Sequence, residues 1–208
     1  MSVEPRLVLA THNKGKLREL RELLRGQIPG LDVDTQVVDA GAVGAPDVVE
    51  DEVSFEGNAL LKARAVCAAT GLVAIADDSG LAVDVLGGAP GIFSARWAGR
   101  HGDDEANIDL LLAQLGDVPD EHRGASFVCA AAIVSPDGKV AFEMGHMAGR
   151  LLRERRGNGG FGYDPILQPD GYEVSVAELS SEEKNAISHR GRAFRGLLPM
   201  IVKALSAN

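Results

Sequence analysis

The chain has 208 residues, of which 45% are hydrophobic and 25% are charged, and its formal net charge is −9. This size and balance suit one globular domain spanning residues 1–208. The acidic balance argues against nucleic acid as a partner, although a local basic cluster can still bind a small anionic ligand. No apolar stretch approaches the ~20 residues of a membrane span, and the opening MSVEPRLVLA lacks the features of a signal peptide. We therefore expect a cytoplasmic protein with no membrane partner.

Short apolar runs alternate with helix-like segments along the first half of the chain, which predicts an α/β protein. In order, we expect a strand over residues 6–10, a helix that Asn13 caps, a strand over 33–38, a helix over 54–70, and strands over 72–76 and 81–85. The helix after Asn13 is assigned because Leu17, Leu20, Leu23 and Leu24 share one face.

The second half opens on a turn-forming cluster, GGAPG, at residues 87–91. After it we expect a helix over 103–115, a hairpin of strands 125–134 and 139–149, a short helix capped by Ser180 and Glu183, and a last helix over 192–206 that kinks or breaks at Pro199. Because a hairpin joins antiparallel strands, the sheet is predicted to be mixed.

The sequence THNKGK, residues 11–16, lies between the first predicted strand and the helix that follows it. A helix N-terminus presents backbone N–H groups and the positive end of the helix dipole, so this position favours an anion. Thr11 and Asn13 add hydrogen-bonding side chains, and Lys14 and Lys16 add positive charge. The spacing differs from that of a Walker A loop, and a capped helix start with two solvated lysines is the alternative.

Two adjacent carboxylates, Asp77 and Asp78, stand where the predicted strand over 72–76 ends. Like charges at neighbouring positions repel each other unless a cation or a proton lies close to them. Because consecutive strand residues point to opposite faces, we expect different roles for the two side chains, one binding a metal and one orienting a neighbour. With the acidic run EDE at 50–52, they indicate a carboxylate site for Mg²⁺. Solvated residues at a strand end are the alternative.

Two further segments carry groups that suit a nucleotide base. The segment GNGGFGYDP, residues 157–165, places aromatic residues among glycines, so that an aromatic face and bare backbone groups are available to a purine. The segment SSEEKNAISHRGRA, residues 180–193, supplies the basic groups Lys184, His189 and Arg190. A glycine-rich turn and a solvated helix are the alternatives. Taken together, the four segments supply what a small-molecule nucleotide substrate with Mg²⁺ requires.

The chain resembles the inosine triphosphate pyrophosphatase family (RdgB-like) from about residue 6 to the C-terminus, in the segments THNKGKLREL, ADDSGLAVDVLGGAPGIFSARWAG, GNGGFGYDPI and EEKNAISHRGRA. The resemblance implies an elongated mixed β-sheet with flanking helices and two lobes around a central nucleotide-binding cleft. It also implies a Mg²⁺-dependent homodimer that hydrolyses non-canonical purine nucleotides (ITP, dITP and XTP) to the monophosphate and pyrophosphate. Such an activity removes deaminated purines from the nucleotide pool.

The same resemblance implies a role for each matching residue. Asp78 would be the catalytic base and, with Glu50, a ligand of Mg²⁺. The substrate would be bound by Thr11, His12, Asn13, Lys14, Gly15, Lys16, Lys62, Ser79, Arg96, Phe161, Gly162, Tyr163, Asp164, Lys184, His189 and Arg190. Within this set, residues 11–16, Lys62 and Arg96 would contact the phosphates, and the residues from Phe161 onwards would contact the base.

The chain departs from the family's pattern just before the predicted helix over 54–70. Where the family shows a pattern like ETGxTFxENA, this chain has EDEVSFEGNA, so Glu52 replaces a glycine and Gly57 replaces a glutamate. Glu50 keeps its place, but the resemblance does not predict the conformation of this loop.

Two other functions fit parts of the sequence. A pyrophosphatase of a related fold could act on modified pyrimidine nucleotides, and a preference for dTTP or UTP would identify it. A non-catalytic nucleotide sensor could keep the pocket without turnover, but the presence of Asp78, Glu50 and Lys16 argues against it.

Overall fold

A six-stranded sheet forms the framework of the computed structural model, which describes residues 4–206. Its strands are β1 (Leu7–Leu9), β2 (Val37–Asp39), β3 (Val73–Val83), β4 (Gly124–Val134), β5 (Val140–Leu151) and β6 (Leu167–Pro169). They lie in the order β2–β1–β3–β4–β5–β6. Strand β1 pairs in parallel with both β2 and β3, whereas β5 and β6 pair antiparallel, so the predicted mixed sheet is confirmed.

Helices connect these strands, and the backbone contacts divide the chain into two units. The helices are α1 (Lys14–Leu24), α2 (Val33–Gln36), α3 (Phe55–Thr70), α4 (Asp104–Gln114), α5 (Ser181–Ile187) and α6 (His189–Ser206). Unit 1 comprises the described parts of Met1–Asp78 and Arg192–Asn208 together with Ala130–Met144, and unit 2 comprises Ser79–Cys129 and Gly145–Gly191. The single domain with two lobes stays a prediction. Between residues 4 and 206, no helix has both the length and the apolar character that crossing a membrane requires.

Unit 1 is built on its parallel strands and on helices whose apolar faces carry small or branched side chains. Every residue of β1 is fully buried, and so are Leu20 and Leu24 of α1. Asn13 caps α1 as predicted. In α3, Ala63 and Val66 pack with apolar residues of β1 and β3. Because alanine is small, α3 can lie close to the sheet, which positions the first turn of this helix beside the middle of β3.

Unit 2 has a separate apolar core. Its buried members are Leu81, Val83, Ile108, Leu111, Leu115, Ala125, Phe127, Met147, Leu151, Tyr163, Ile166, Leu167 and Val176. Helix α4 contributes one apolar face to this core, and Asp103 caps the helix by accepting a hydrogen bond from the Ala106 N–H. The core therefore supports both the end of β3 and the glycine-rich segment around residue 160.

A buried arginine connects the ends of two elements, α4 and β5, in unit 2. The Arg123 side chain, in a residue only 2% exposed, donates hydrogen bonds to the carbonyl oxygens of Leu115 (2.7 Å), Leu151 (2.9 Å) and Leu152 (2.9 Å). Burial lowers the pKa of the Arg123 guanidinium from its usual value. Since helix and strand ends leave carbonyl groups without partners, this one side chain satisfies acceptors at the end of α4 and at the end of β5.

Strand β3 differs from the prediction in one way that matters for the site. The sequence predicted two strands, over 72–76 and 81–85, with the carboxylates of Asp77 and Asp78 at the mouth of the first. The structure instead has one strand of 11 residues, and the two aspartates lie in its interior. Charged residues destabilise the interior of a strand only when they lack partners. Here neighbouring side chains are the partners of both aspartates.

Two other predicted elements are corrected. Residues 33–38 were predicted as a strand, but Asp32 accepts a hydrogen bond from the Asp34 N–H and starts the short helix α2, so only Val37–Asp39 is extended. The last helix begins at His189 and not at 192, so Gly191 lies inside it. It continues through Pro199, so of the predicted kink or break the break is absent.

We expect Arg123→Met to destabilise the fold by about 2–4 kcal/mol, because three carbonyl oxygens, two of them in buried hydrogen bonds, would lose their donor. Urea unfolding followed by circular dichroism measures this loss. As a matched control, Arg100→Met replaces an exposed arginine of unit 2, and its effect should stay within about 0.5 kcal/mol. Equal midpoints for the two variants would contradict a structural role for Arg123.

Candidate active site

The loop before α1 is held in place by its own side chains. The Asn13 side-chain oxygen accepts hydrogen bonds from the backbone N–H groups of Gly15 (2.8 Å) and Lys16 (3.3 Å). The Thr11 hydroxyl oxygen accepts one from the Asn13 N–H (3.1 Å). Two N–H groups that the start of a helix offers to an anion are therefore used within the loop, so the charged side chains have to supply most of the attraction for a phosphate.

Each basic residue of the segment 11–16, which includes the first turn of α1, is paired with a carboxylate in unit 1. The ion pairs are Lys14–Asp39 at 2.7 Å, Lys16–Asp77 at 2.8 Å and, when the imidazole is protonated, His12–Asp47 at 2.7 Å. The Lys14 and His12 side chains are largely exposed, whereas the Lys16 side chain is only 22% exposed. The Lys16 pair is therefore shielded from solvent, and its Coulomb attraction is stronger than that of a surface pair.

The hydrogen bond from Lys14 lowers the pKa of Asp39 from its usual value, and a further hydrogen bond from the Ala42 N–H acts in the same direction. Burial of the carboxyl opposes both effects. Asp39 thus stays ionised at the end of β2, beside the first turn of α1, which carries the two lysines.

The two adjacent aspartates of β3 have different surroundings. Asp77 is 3% exposed, and its carboxylate accepts the hydrogen bond from the Lys16 ammonium. Asp78 is half-buried, and its Oδ2 accepts a hydrogen bond from the Asn58 side-chain amide at 3.0 Å. Because consecutive strand residues point to opposite faces, one aspartate anchors a lysine and the other faces the first turn of α3.

Lys62 connects Glu50 with this part of β3. Its ammonium lies 2.6 Å from Glu50 Oε1 and 2.8 Å from the Asp77 carbonyl oxygen. The Lys62 side chain is 13% exposed and that of Glu50 is 35% exposed. One cation therefore holds the Glu50 carboxylate beside the peptide bond between Asp77 and Asp78.

The oxygen donors of Glu50 and Asp78 fit a hard divalent cation such as Mg²⁺. Among residues 4–206 there is no group of three or more His, Cys, Asp or Glu side chains arranged to hold a metal ion. Mg²⁺ does not require such a cage, since it is usually bound by one or two carboxylates together with substrate phosphates and water. The donor set present thus suits a cation that arrives with a phosphorylated substrate.

In unit 2, the glycine-rich segment is pinned by hydrogen bonds. The Asp164 carboxylate, in a residue 3% exposed, accepts one from the Phe161 N–H (2.9 Å), and Asp104 accepts one from the Gly162 N–H (2.7 Å). Gly160 has φ +74°, and a Cβ there would lie 2.0 Å from the Asp164 carboxylate. Glycine is therefore needed at position 160 both for the left-handed backbone and for the approach of Asp164.

The Lys184 side chain joins the glycine-rich segment to α5. Its ammonium lies 2.5 Å from the Asp164 carboxylate and 4.8 Å from the centre of the Phe161 ring. Phe161 is 61% exposed, so one face of the ring is covered by the cation and the ring remains accessible to a ligand. A cation over an aromatic face is an attractive arrangement, and it fixes the position of the ring.

Tyr163 supports this segment from the core. Its side chain is buried among the apolar residues of unit 2, and its hydroxyl donates a hydrogen bond to the Ser94 carbonyl oxygen at 2.8 Å. Burial raises the pKa of the Tyr163 phenol far above its usual value. The ring therefore packs in the core, and a ligand could meet only the backbone of this residue.

His189 and Arg190 occupy the start of α6. The imidazole of His189 stacks on the Phe127 ring with 5.1 Å between ring centres, and Arg190 is 8% exposed. The two remaining predicted residues of unit 2 are Ser79 and Arg96. Ser79 follows Asp78 in β3, and the Arg96 guanidinium lies 5.4 Å from the centre of the Phe93 ring.

The model of the Ham1 family matches residues 7–200. The chain belongs to the Ham1 family. A dITP/XTP pyrophosphatase from Streptomyces coelicolor is 60% identical over 200 residues, which cover 96% of this chain and 98% of that protein. The crystal structure of a nucleoside-triphosphatase / dITP/XTP pyrophosphatase from Mycobacterium abscessus is 49% identical with a TM-score of 0.78, over 95% of this chain and 100% of that chain. A HAM1 protein from Coxiella burnetii is 39% identical with a TM-score of 0.86, over 96% and 100%.

These likenesses confirm the resemblance that four motifs predicted, and they confirm the α/β fold with a mixed sheet. Each of these family members is matched over nearly its whole length. The sequence similarity to the family thus extends well beyond the four motifs that predicted it.

The sequence did not predict three polar residues that contact predicted site residues, two of them in unit 1 and one in unit 2. Asp39 pairs with Lys14, Asn58 donates to Asp78, and Asp104 accepts from the glycine-rich segment. The sequence did contain a sign of Asn58. The family's pattern ends in ENA and this chain has GNA, so the asparagine is kept although the residue before it differs. Asp39 and Asp104 lie outside the quoted motifs, so only the fold identifies them.

We expect Lys14→Met to destabilise the protein at neutral pH and to have little effect in acid. The folded-state pKa of Asp39 is lowered by Lys14, so its contribution to stability is present above the unfolded pKa of about 3.9 and is lost as the pH falls through the lowered folded value. Urea unfolding at several pH values measures the difference between wild type and variant.

Asp39→Asn provides the control, because in that background the lysine has no ionised partner at position 39. The same substitution of Lys14 should then cost less stability at neutral pH. A stability deficit of Lys14→Met that is unchanged between pH 7 and pH 3 would contradict the ion-pair explanation.

Proposed function

We propose that this protein is a nucleoside triphosphate pyrophosphatase that converts dITP, ITP and XTP to the monophosphate and pyrophosphate. The observation that carries the proposal is the 60% identity, over nearly the whole of both chains, with a protein described as a dITP/XTP pyrophosphatase. The charged groups of unit 1 support the binding of phosphate groups. The aromatic and basic groups of unit 2 support the recognition of a nucleotide base. The homodimer and the cytoplasmic location stay predictions.

The phosphate end of the substrate is assigned to unit 1. We expect residues 11–16 and Lys62 to bind phosphate oxygens, with Arg96 of unit 2 as a further cation. Lys16 and Lys62 already contact carboxylate or carbonyl oxygens, so a phosphate would share their ammonium groups with these partners. Phosphoryl transfer depends mainly on such positioning and electrostatic stabilisation.

Glu50 and Asp78 are the residues that would hold Mg²⁺. Bound there, Mg²⁺ would offset phosphate charge and lower the pKa of a coordinated water. Asp78 would accept the proton of the water that attacks the α-phosphorus, while pyrophosphate leaves. Asp77, whose carboxylate is paired with Lys16, would hold that lysine beside the phosphates.

The base is assigned to unit 2. The accessible Phe161 ring offers a stacking surface, and Lys184 and Asp164 fix its position. Donors from Arg190 and His189 would bind the 6-oxo group of hypoxanthine or xanthine. An adenine base presents a 6-amino donor instead, and buried mismatches of this kind discriminate by about 10⁴ or more.

The test is a substrate panel of dITP, ITP, XTP, dATP, GTP, dTTP and UTP with pyrophosphate detection, with and without Mg²⁺. We expect the deaminated purines to be the best substrates and Mg²⁺ to be required. Asp78→Asn should lower kcat by about 10³-fold, the range of a lost general base, while nucleotide binding remains.

Asp137→Asn, which changes an exposed carboxylate of unit 1 in the turn between β4 and β5, is the matched control and should leave kcat unchanged. No hydrolysis of any deaminated purine would refute the proposed activity. A preference for dTTP or UTP would favour a pyrimidine-directed enzyme instead.

Arg190→Ala should reduce the preference for dITP over dATP by about 10-fold or more, because only the 6-oxo group can accept its hydrogen bond. The ratio of the two kcat/KM values measures this preference. Arg100→Ala, an exposed arginine of unit 2, should leave the ratio unchanged. Equal losses for dITP and dATP would indicate that Arg190 binds phosphate.

A further inference from the structure

Asn58 is a buried polar residue with a partner at each end of its amide. It lies in the first turn of α3 and is 2% exposed. Its Nδ2 donates to Asp78 Oδ2 at 3.0 Å, and its Oδ1 accepts from the backbone N–H of Glu52 at 3.1 Å. The side chain therefore bridges the loop before α3 and the carboxylate in β3, both within unit 1.

The Glu52 contact fixes which way the amide faces. A backbone N–H can only donate, so the oxygen end of the Asn58 amide must point to Glu52. The NH₂ end then points to Asp78 and donates to its carboxylate. The direction of the second hydrogen bond is thus set by the first, which makes the backbone of Glu52 part of the support for Asp78.

Gly57 keeps the Glu52 segment close to α3. A Cβ on Gly57 would lie 2.9 Å from the Glu52 Cβ and 3.1 Å from the Ser54 hydroxyl oxygen. The first of these distances is too short for two carbon atoms, so the side chain of Glu52 occupies space that any larger residue at position 57 would need. The two departures from the family pattern, a glutamate at 52 and a glycine at 57, therefore contact each other and are explained together.

We propose that Asn58 is a positioning residue for Asp78 in the hydrolysis of the nucleotide, held in its working orientation by the Glu52 N–H. This inference rests on the proposed function. Asn58 fixes the rotation of the Asp78 carboxylate, and so the direction from which this carboxylate meets the attacking water. A displacement of about 1 Å at such a group is sufficient to lower a rate by about 10²-fold.

Asn58→Asp tests the contact with almost no change of shape. The carboxylate still accepts from the Glu52 N–H, but an oxygen replaces the NH₂ group that faces Asp78, and two like charges then meet. We expect kcat for dITP to fall by about 10²-fold, with KM within about threefold of the wild-type value. A residue that only packs or caps the helix would leave kcat within about threefold, and that result would overturn the proposal.

A reversed pair separates stability from catalysis. In Asn58→Asp with Asp78→Asn, the amide stands at position 78 and the carboxylate at position 58, so a hydrogen bond between the two positions can form again. We expect the melting temperature lost in Asn58→Asp to return while activity does not. If activity returned as well, the carboxylate would not be needed at position 78, and the proposal would be wrong.

A second pair of variants keeps the test valid if Asn58→Asp fails to fold. Gly57→Ala should push the Glu52 segment away from Asn58 and lower kcat by about 10-fold or more. Glu52→Gly combined with Gly57→Ala should restore kcat, because the glycine removes the side chain that the new methyl group meets and keeps the backbone N–H. Wild-type kcat in Gly57→Ala, or no rescue in the double variant, would overturn the proposal. If the wild-type enzyme is active but these variants contradict the role of Asn58, the proposed function still stands. If the wild-type protein is inactive, both the role of Asn58 and the proposed function are refuted.

Discussion

The site of unit 1 depends on one constraint, which is that two neighbouring carboxylates are held in the interior of a strand. A buried carboxylate is costly unless a cation and hydrogen-bond donors accompany it. Asp77 receives the Lys16 ammonium, and Asp78 receives the Asn58 amide. These partners lie on the start of α1 and the start of α3, so the strand can carry two charges only when both helices begin where they do. The constraint therefore links the position of the helices to the chemistry of the strand.

Unit 2 also contains a buried carboxylate that is paired with a lysine. Asp164 is also 3% exposed and is also paired with a lysine, Lys184, whose ammonium reaches an exposed aromatic ring. Here the carboxylate also accepts a hydrogen bond from the backbone of the glycine-rich segment. The buried acid thus orders a loop that its glycines alone would leave free to adopt many conformations. The same kind of pair serves as a structural clamp in one unit and as a candidate phosphate-binding arrangement in the other.

The sequence predicted the parts of this molecule that depend on local patterns. The cap at Asn13, the helix after Ser54 and the hairpin of β4 and β5 follow from capping residues, apolar spacing and turn residues. It did not predict that β3 continues through Asp77 and Asp78, because their charges are compensated by residues distant in the chain. The Asn58 bridge was missed for the same reason, since its two partners lie on separate elements. The roles of the site residues stay predictions, because they depend on a substrate as well as on the fold.

The charge balance of unit 1 gives a physical reason for the cation in the proposed function. Among the residues assigned to the phosphates there, Lys14, Lys16 and Lys62 each have a carboxylate partner, and Asp78 adds a further negative group. A triphosphate brings several negative charges into this group, and the lysines can compensate them only in part while they still hold their carboxylates. A divalent cation that binds both Glu50 and the phosphates would supply the missing positive charge without breaking the ion pairs that keep β3 and its aspartates in place. The stability of the strand and the need for a metal would then have the same origin.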